Sequence, residues 1–460
     1  MLPPFDPART AAVTADVVVA AGAGAAALAG RRARRLAELL AAAARGSRLY
    51  RDLLKGRDPG AVALEDLPIA RKPDLMRRFD DWVADPALHL DALSRFTADP
   101  ARIAEPFLGR YVVWESSGSQ GQPGVFVQDA AAMAVYDALE ALRRPLLRPL
   151  QRMLDPWQLG ERTVFVGATG GHFASTVSIE RLRRLNPLLA QRLSSVSFMQ
   201  PAGALVAELN ALAPTIITTY PSAAVLLADE RASGRLMFAP REVWTGGETL
   251  SAAMRRHVEQ AFGCPVVESY GASEFLSLAC SCRLGHMHLN SDWAILEAVD
   301  DRGRAVAHDH AGATTLLTNL ANHVQPLIRY DLGDRVTFCA EACACGSSLP
   351  VIRVQGRSDD TLRLGPKGAV SVLPLALVTV LEDEAGLFDF QLLQQGPAEL
   401  LLRTGLAGAP ADALLRRARI ALGSFLTQQG ARGVRIRCRS AEPGRPGRSG
   451  KVQRVVAMRS

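Results

Sequence analysis

The stretch YVVWESSGSQGQPGVFVQD, residues 111 to 129, passes from β-formers through a loop of Ser, Gly, Gln and Pro and back into β-formers. Its glycines let backbone N–H groups approach an oxyanion, and the hydroxyls of Ser116, Ser117 and Ser119 add donors, as a polyphosphate requires. The same composition also makes an ordinary tight turn. The rest of the chain has to decide between the two.

On both sides of that loop the texture is regular. From Tyr111 to about Val299, strand-like runs (YVVW, TVFVGA, PTIITTYP, CPVVESYG, WAILEAV) alternate with helical ones such as AAVLLADERASG and LSAAMRRHVEQAFG. This alternation predicts an α/β fold with a largely parallel sheet flanked by helices. Residues 9 to 56 read as helix, and Pro-punctuated short helices and turns follow, so residues 1–105 form a helical N-terminal part. Past Arg357 the charged, Gly-bearing GRSDDTLRLGPKG separates a large domain, 1–357, from a small α+β domain, 358–460.

A chain of 460 residues with 48% apolar and 22% charged side chains reads as globular, with room for two or three domains. The net charge of +7 lies on scattered arginines and aromatics are only 6%, so a nucleic-acid surface is not expected. The apolar run at 15–35 is too short to span a membrane and carries its arginines on the wrong side for a signal peptide, so a cytoplasmic protein without membrane contact is expected. Seven cysteines, an odd number, argue for free thiols or a metal site rather than a disulfide framework.

Three familiar patterns fail on context. Gly22, Gly24 and Ala27 fit G-x-G-x-x-A, but helix continues where a second strand and its acidic residue are needed. No G-x-x-x-x-G-K-[ST] occurs. Ser117-Gly118-Ser119-Gln120-Gly121 lacks the first glycine of a hydrolase elbow.

Six separated pieces remain: SSGSQGQPG (116–124), WTGGETLS (244–251), ESYGASEF (268–275), PLIRYDLGDRV (326–336), GRSDD (356–360) and GRSGKVQRV (447–455). Each alone has a structural explanation, as a turn, a capped helix or a flexible tail. In this order they resemble the adenylate-forming superfamily of acyl-CoA ligases, luciferases and peptide-synthetase adenylation domains. SRLYRDLLKG, LPIARKPDL and CACGSSLPVIRVQGRSDDTLRL make the likeness closer to the phenylacetate-CoA ligase branch and its coenzyme F390 synthetase-related members.

The resemblance implies a residue-by-residue assignment. Ser116, Ser117, Gly118, Ser119 and Gly121 close over the β- and γ-phosphates of ATP, while Gly246, Gly247 and Glu248 lie along adenine and ribose. Tyr270, followed by Gly271, stacks on the adenine, and Glu274 ligates Mg²⁺. Asp334 takes the ribose hydroxyls, Arg357 contacts phosphate or ribose, and Asp359 is the hinge of a mobile C-terminal domain. Lys451 is the mobile lysine that offsets the charge developing as a carboxylate attacks the α-phosphate. VGATGGHFAS (166–175) lines the acyl pocket, with His172 near the reacting carbonyl. The implied reaction forms an acyl-adenylate of a small, aromatic or other, organic acid and passes the acyl group to coenzyme A. Alternatives are transfer of AMP to a hydroxyl, as by F390 synthetase, acyl transfer to an amine or carrier protein, or a nucleotide-binding scaffold without turnover. A homodimer is compatible with the resemblance.

After Tyr270 come C-x-C and two His, and some 50 residues later C-x-C-G, the ligand types of a closed tetrahedral Zn²⁺ site. Cys282, His288, Cys343 and Cys345 are the expected set, with Cys280 and His286 as substitutes and free thiols as the alternative. Two departures stand out. Gln122 occupies the place of a phosphate-loop lysine, and RLGPKGAVSVLPLALVTVLE lacks the pattern that follows the hinge in the ligases, which leaves the acceptor less determined than the adenylation.

Overall fold

The computed structural model describes residues 2–116, 123–145, 147–148, 155, 160–357, 361–365, 370–372, 374–444 and 452–458. Asp6 caps the first helix, Pro7–Ala21, by accepting from the Arg9 amide at 2.9 Å. The helix stops at Gly22 and a second, Ala25–Gly46, begins behind Gly24. The G-x-G-x-x-A stretch is therefore a break between two helices, with no strand ahead of it. Arg35 ties the second helix to the body: its guanidinium lies 3.4 Å from the centre of the Trp293 ring and donates to the Asp292 carbonyl at 2.6 Å.

The body is organised by a nine-stranded sheet in the order β13-β14-β9-β8-β7-β6-β5-β3-β4. Its members are β3 (Thr163–Gly167), β4 (Leu193–Ser197), β5 (Ile216–Thr219), β6 (Glu242–Gly246), β7 (Val266–Ala272), β8 (Phe275–Ser281), β9 (Met287–Leu289), β13 (Asp334–Phe338) and β14 (Val351–Arg357). From β4 to β7 every pairing is parallel, as expected for βα units whose strands and helices bury a common core. Beyond β7 every pairing is antiparallel. The α/β class read from the sequence holds, but the sheet is parallel over only five strands. The tight turn after Ala272 admits no crossover helix, so the strand must return as an antiparallel neighbour. A hairpin, β1 (Val112–Glu115) with β2 (Val125–Gln128), and a three-stranded sheet, β10 (Ala294–Val299), β11 (Thr314–Asn319) and β12 (Tyr330–Asp331), complete the body.

Residues 362–455 bury a core of their own, including Leu392, Leu400, Leu402, Leu415 and Leu422. Here the helix Gly408–Gln428 covers a four-stranded sheet of β15 (Gln391–Gly396), β16 (Glu399–Arg403), β17 (Arg435–Arg439) and β18 (Val455–Val456). This small unit touches the body at the helix Ala252–Phe262, where the His257 ring stacks on Phe388 at 5.2 Å. No helix among the described residues is long and apolar enough to cross a membrane.

Candidate active site

The site lies where the parallel and antiparallel halves of the sheet meet, beyond the carboxyl ends of β6 and β7, which is where open α/β sheets bind ligands. Gly246 ends β6 opposite Ser269 of β7. A side chain at Gly246 would come within 2.7 Å of the Ser269 hydroxyl, so glycine is needed there for the strands to close. At Gly271 a Cβ would lie 1.9 Å from the Leu276 carbonyl oxygen. The β7–β8 register shifts at this point, a bulge that re-aims Tyr270 and carries the chain to Glu274.

Tyr270 donates its hydroxyl to Asp334 Oδ2 at 2.7 Å. Arg357 approaches the other carboxylate oxygen at 3.4 Å and donates to the Leu332 carbonyl at 3.3 Å. Asp334 and Arg357 face each other across the β13–β14 ladder, so one register positions both charges. Burial and the Asp334 carboxylate raise the Tyr270 hydroxyl well above its ordinary range, which keeps it a neutral donor.

Glu274 is held from two directions. Its carbonyl accepts from Asn319 Nδ2 at 2.9 Å, and its carboxylate Oε1 accepts from the Tyr330 hydroxyl at 2.8 Å. Tyr330 follows Arg329, whose φ of 48° is left-handed and whose buried guanidinium donates to the Leu67 carbonyl at 2.7 Å and pairs with Glu297 at 3.2 Å. Such backbone strain persists only where the surroundings over-determine the residue. Burial pushes the Glu274 carboxyl above the ordinary carboxylate range, against the Tyr330 hydrogen bond and the charges of Arg357 and Lys72. A carboxylate has about four lone-pair sites, so one phenol leaves acceptor capacity for a cation.

The neck of the Ser/Gly loop is closed by two hydrogen bonds, Ser116 N to the Gly124 carbonyl and Gly124 N to Ser116 Oγ, both 2.8 Å. Ser116 thus uses its hydroxyl oxygen on its own loop. Ser117, Gly118, Ser119 and Gly121 lie outside the described residues, as do Asp359 and Lys451. Trp114 Nε1 donates to the Ser273 carbonyl at 2.8 Å and so fixes the loop's base beside Glu274. Gly247 has a φ of 77°, and Glu248 accepts from the Ser222 amide at 3.0 Å.

The His172 carbonyl accepts from the Glu115 amide at 2.7 Å, next to the loop's neck, but its ring turns elsewhere. It is fully buried, its Nε2 lies 2.9 Å from the Asp99 carbonyl and its ring meets Phe96 edge-on at 5.3 Å. Its Nδ1 has no hydrogen-bond partner among the described residues.

One residue of the site was missed in the motifs. Lys72 opens the helix Lys72–Arg77, and a Cβ on Gly124 would meet its Cδ at 3.2 Å while its charge acts on Glu274. It therefore stands near both the loop's neck and the acidic residue. LPIARKPDL contained it, but nothing in that segment points across 50 residues to a phosphate loop.

Cys282, His288, Cys343 and Cys345 come together with all four ligand atoms within 4.8 Å of one another. His288 Nδ1 lies 2.9 Å from the Leu349 carbonyl, which orients Nε2 toward Cys345 at 3.4 Å. Of the substitutes, His286 reaches Cys343 at 3.1 Å from outside the four. Cys280 is not one of the four: it pairs with His288 across the β8–β9 ladder, and burial pushes its thiol up to about 12.

Residues 191–314 match the family model of AMP-binding enzymes. Over 180 residues the chain is 31% identical to the phenylacetate-coenzyme A ligase of Thermus thermophilus, covering 36% of this chain and 39% of that protein. Over 143 residues it is 27% identical to protein CapK of Staphylococcus aureus, covering 31% and 30%. The chain thus spans under two fifths of the length of these curated relatives. Among solved structures it resembles 2-hydroxyisobutyryl-CoA ligase in the postadenylation state with 2-HIB-AMP, at TM-score 0.66 and 20% identity over 93% of this chain and 89% of that one. The same ligase scores 0.57 in its open conformation and 0.54 in its thioesterification state. The likeness to the adenylate-forming superfamily is borne out as a likeness: residues 191–314 match the AMP-binding enzyme family, and the chain shares the fold of an acyl-CoA ligase structure. Its curated similarity includes the phenylacetate-CoA ligase branch.

Two substitutions test the site. Glu274 holds its proton more tightly when folded, so native stability falls as pH rises from the unfolded through the folded titration range. Glu274→Gln is expected to remove that loss and stabilise the ligand-free protein at neutral pH, as read by denaturant unfolding, while abolishing Mg²⁺-dependent ATP binding in calorimetry. Lys72→Met is expected to weaken ATP binding by roughly tenfold or more, the scale of one lost charge-assisted phosphate contact. AMP binding is expected to change little.

Proposed function

We propose that the protein uses ATP and Mg²⁺ to convert a small organic acid, of the aromatic class, to its acyl-adenylate and then passes the acyl group to the thiol of coenzyme A. The observation that carries this reading is the pair of hydrogen-bonded acids at the seam of the sheet, Asp334 with Tyr270 and Arg357, and Glu274 with Tyr330. Asp334 accepts both ribose hydroxyls once the nucleotide enters beside Tyr270. Glu274 holds Mg²⁺, which offsets the negative charge of the polyphosphate. Lys72 and Arg357 supply cations where the loop carries Gln122, and Lys451 enters for the attack of the carboxylate on the α-phosphate. That step forms the acyl–phosphate bond and expels pyrophosphate, and no strong base is needed because the acid is already ionised. The thiol then displaces AMP. An anionic acceptor suits the small unit, since residues 361–460 hold 15 Lys and Arg against 7 Asp and Glu and so carry the chain's positive excess.

The cluster of Cys282, His288, Cys343 and Cys345 fits a structural Zn²⁺, which would neutralise the thiolates and tie the β8–β9 turn to the segment leading into β14 and Arg357.

Acid-dependent ATP–pyrophosphate exchange tests the first half-reaction. A subset of aromatic acids is expected to support it, and Lys451→Ala is expected to lose exchange while still turning over preformed acyl-adenylate. Exchange with no acid, together with AMP appearing on a hydroxyl acceptor, would overturn the ligase reading. Elemental analysis is expected to find one Zn per chain, and Cys345→Ser to lose both the metal and part of the thermal stability. A metal-free chain of unchanged stability would refute the zinc assignment.

A further inference from the structure

The segment that forms the Gly246–Glu248 turn also forms the body's polar contact with the small unit. Ser251, three residues past Glu248, caps the helix Ala252–Phe262 by accepting from the Met254 amide at 3.1 Å, and its hydroxyl proton goes to Glu382 Oε2. The Glu382 side chain is fully buried. Its other oxygen pairs with Arg454, which also donates to the Phe388 carbonyl at 2.8 Å and lies 4.1 Å from the centre of the Phe390 ring. Arg256 and Asp383 pair at 3.0 Å on the exposed rim.

We propose that Ser251, Glu382 and Arg454 are positioning residues that clasp the small unit to the nucleotide-binding turn in the orientation suited to acyl-adenylate formation. The inference rests on the proposed two-step reaction. Three features support it. First, Glu382 and Arg454 belong to the same unit, so the buried charge stays paired when that unit moves. Release breaks the hydrogen bond to Ser251, the exposed Arg256–Asp383 pair and the Arg454 contact with Met254 Sδ at 3.5 Å, which costs less than leaving a buried charge unpaired. Second, Ser251 lies on the same short segment as Gly246, Gly247 and Glu248, so a nucleotide that orders this turn also orders the clasp. Third, Arg454 stands three residues from Lys451 in the sequence, so the clasp acts on the same tail segment that carries the lysine expected to enter for adenylation. The arrangement also matches the same ligase better in its postadenylation state than in its thioesterification state, 0.66 against 0.54.

The test is a charge reversal with a rescue. Ser251→Asp keeps a good helix cap but sets a second carboxylate against Glu382, and Ser251→Asp/Glu382→Gln removes that repulsion. Ser251→Asp is expected to lower acid-dependent pyrophosphate exchange by about tenfold or more, a like-charge effect, while transfer from preformed acyl-adenylate to the thiol stays within about twofold. Amide hydrogen exchange over 252–262 and 380–388 is expected to quicken, and the double variant to recover both readouts. Equal loss in both half-reactions, absence of rescue, or unchanged amide exchange would overturn the clasp. If the parent chain exchanged pyrophosphate with no acid, the functional reading would fall, and the amide-exchange arm would still decide whether the clasp exists.

Discussion

The site depends on a single carboxylate held between a phenol and a guanidinium. Asp334 receives the Tyr270 hydroxyl on one oxygen and faces Arg357 with the other, and these residues come from β7, the start of β13 and the end of β14. Three strands that are distant in the chain must therefore pair in the correct order before Tyr270, Asp334 and Arg357 meet. The Cys/His cluster acts on the same constraint, because its members sit on β9, on the turn ahead of it and on the segment leading into β14. A slip of one residue between β13 and β14 would turn Asp334 or Arg357 to the opposite face of the sheet.

The neighbouring acid obeys a different logic. Glu274 is buried enough to prefer its proton, and is kept in place by Tyr330, by Asn319 and by the strained backbone at Arg329. Such a group costs stability in the empty protein and is compensated when a cation arrives. Sites of this kind violate local rules that the rest of a fold obeys. Lys72 reaches the same acid from another element, with its charge acting on Glu274 and its stem beside Gly124.

Much of this was legible in the residues. Strand-like runs located β1, β3, β5, β7 and β10, six short motifs in order gave the resemblance to the superfamily and the candidates Asp334, Arg357 and Glu274, and the C-x-C and His pattern gave the four Cys and His side chains that cluster. Other features were not legible. The change from parallel to antiparallel pairing after Ala272 depends on a tight turn and a bulge at Gly271, which a count of strands does not reveal. Lys72 lies in a Pro-punctuated stretch, and the bridge between Ala70 and Tyr330 helps bring it to Glu274. His172 was read from a Gly-rich loop, yet its ring points to the Asp99 carbonyl because Phe96 and the 99–102 turn pack over it. The clasp between Ser251 and Glu382 joins residues 131 apart, and the motif ending at Ser251 reads equally well as a simple helix cap.

The central claim is that this sheet seam forms and holds an acyl-adenylate. Native mass spectrometry of the protein after incubation with ATP, Mg²⁺ and a panel of aromatic and short aliphatic acids tests it most directly. The account predicts a non-covalent adduct with the mass of one acid joined to AMP with loss of water, present for a subset of acids and absent in Asp334→Ala. Bound ATP or AMP alone with every acid, in a protein that also consumes no ATP, would contradict it.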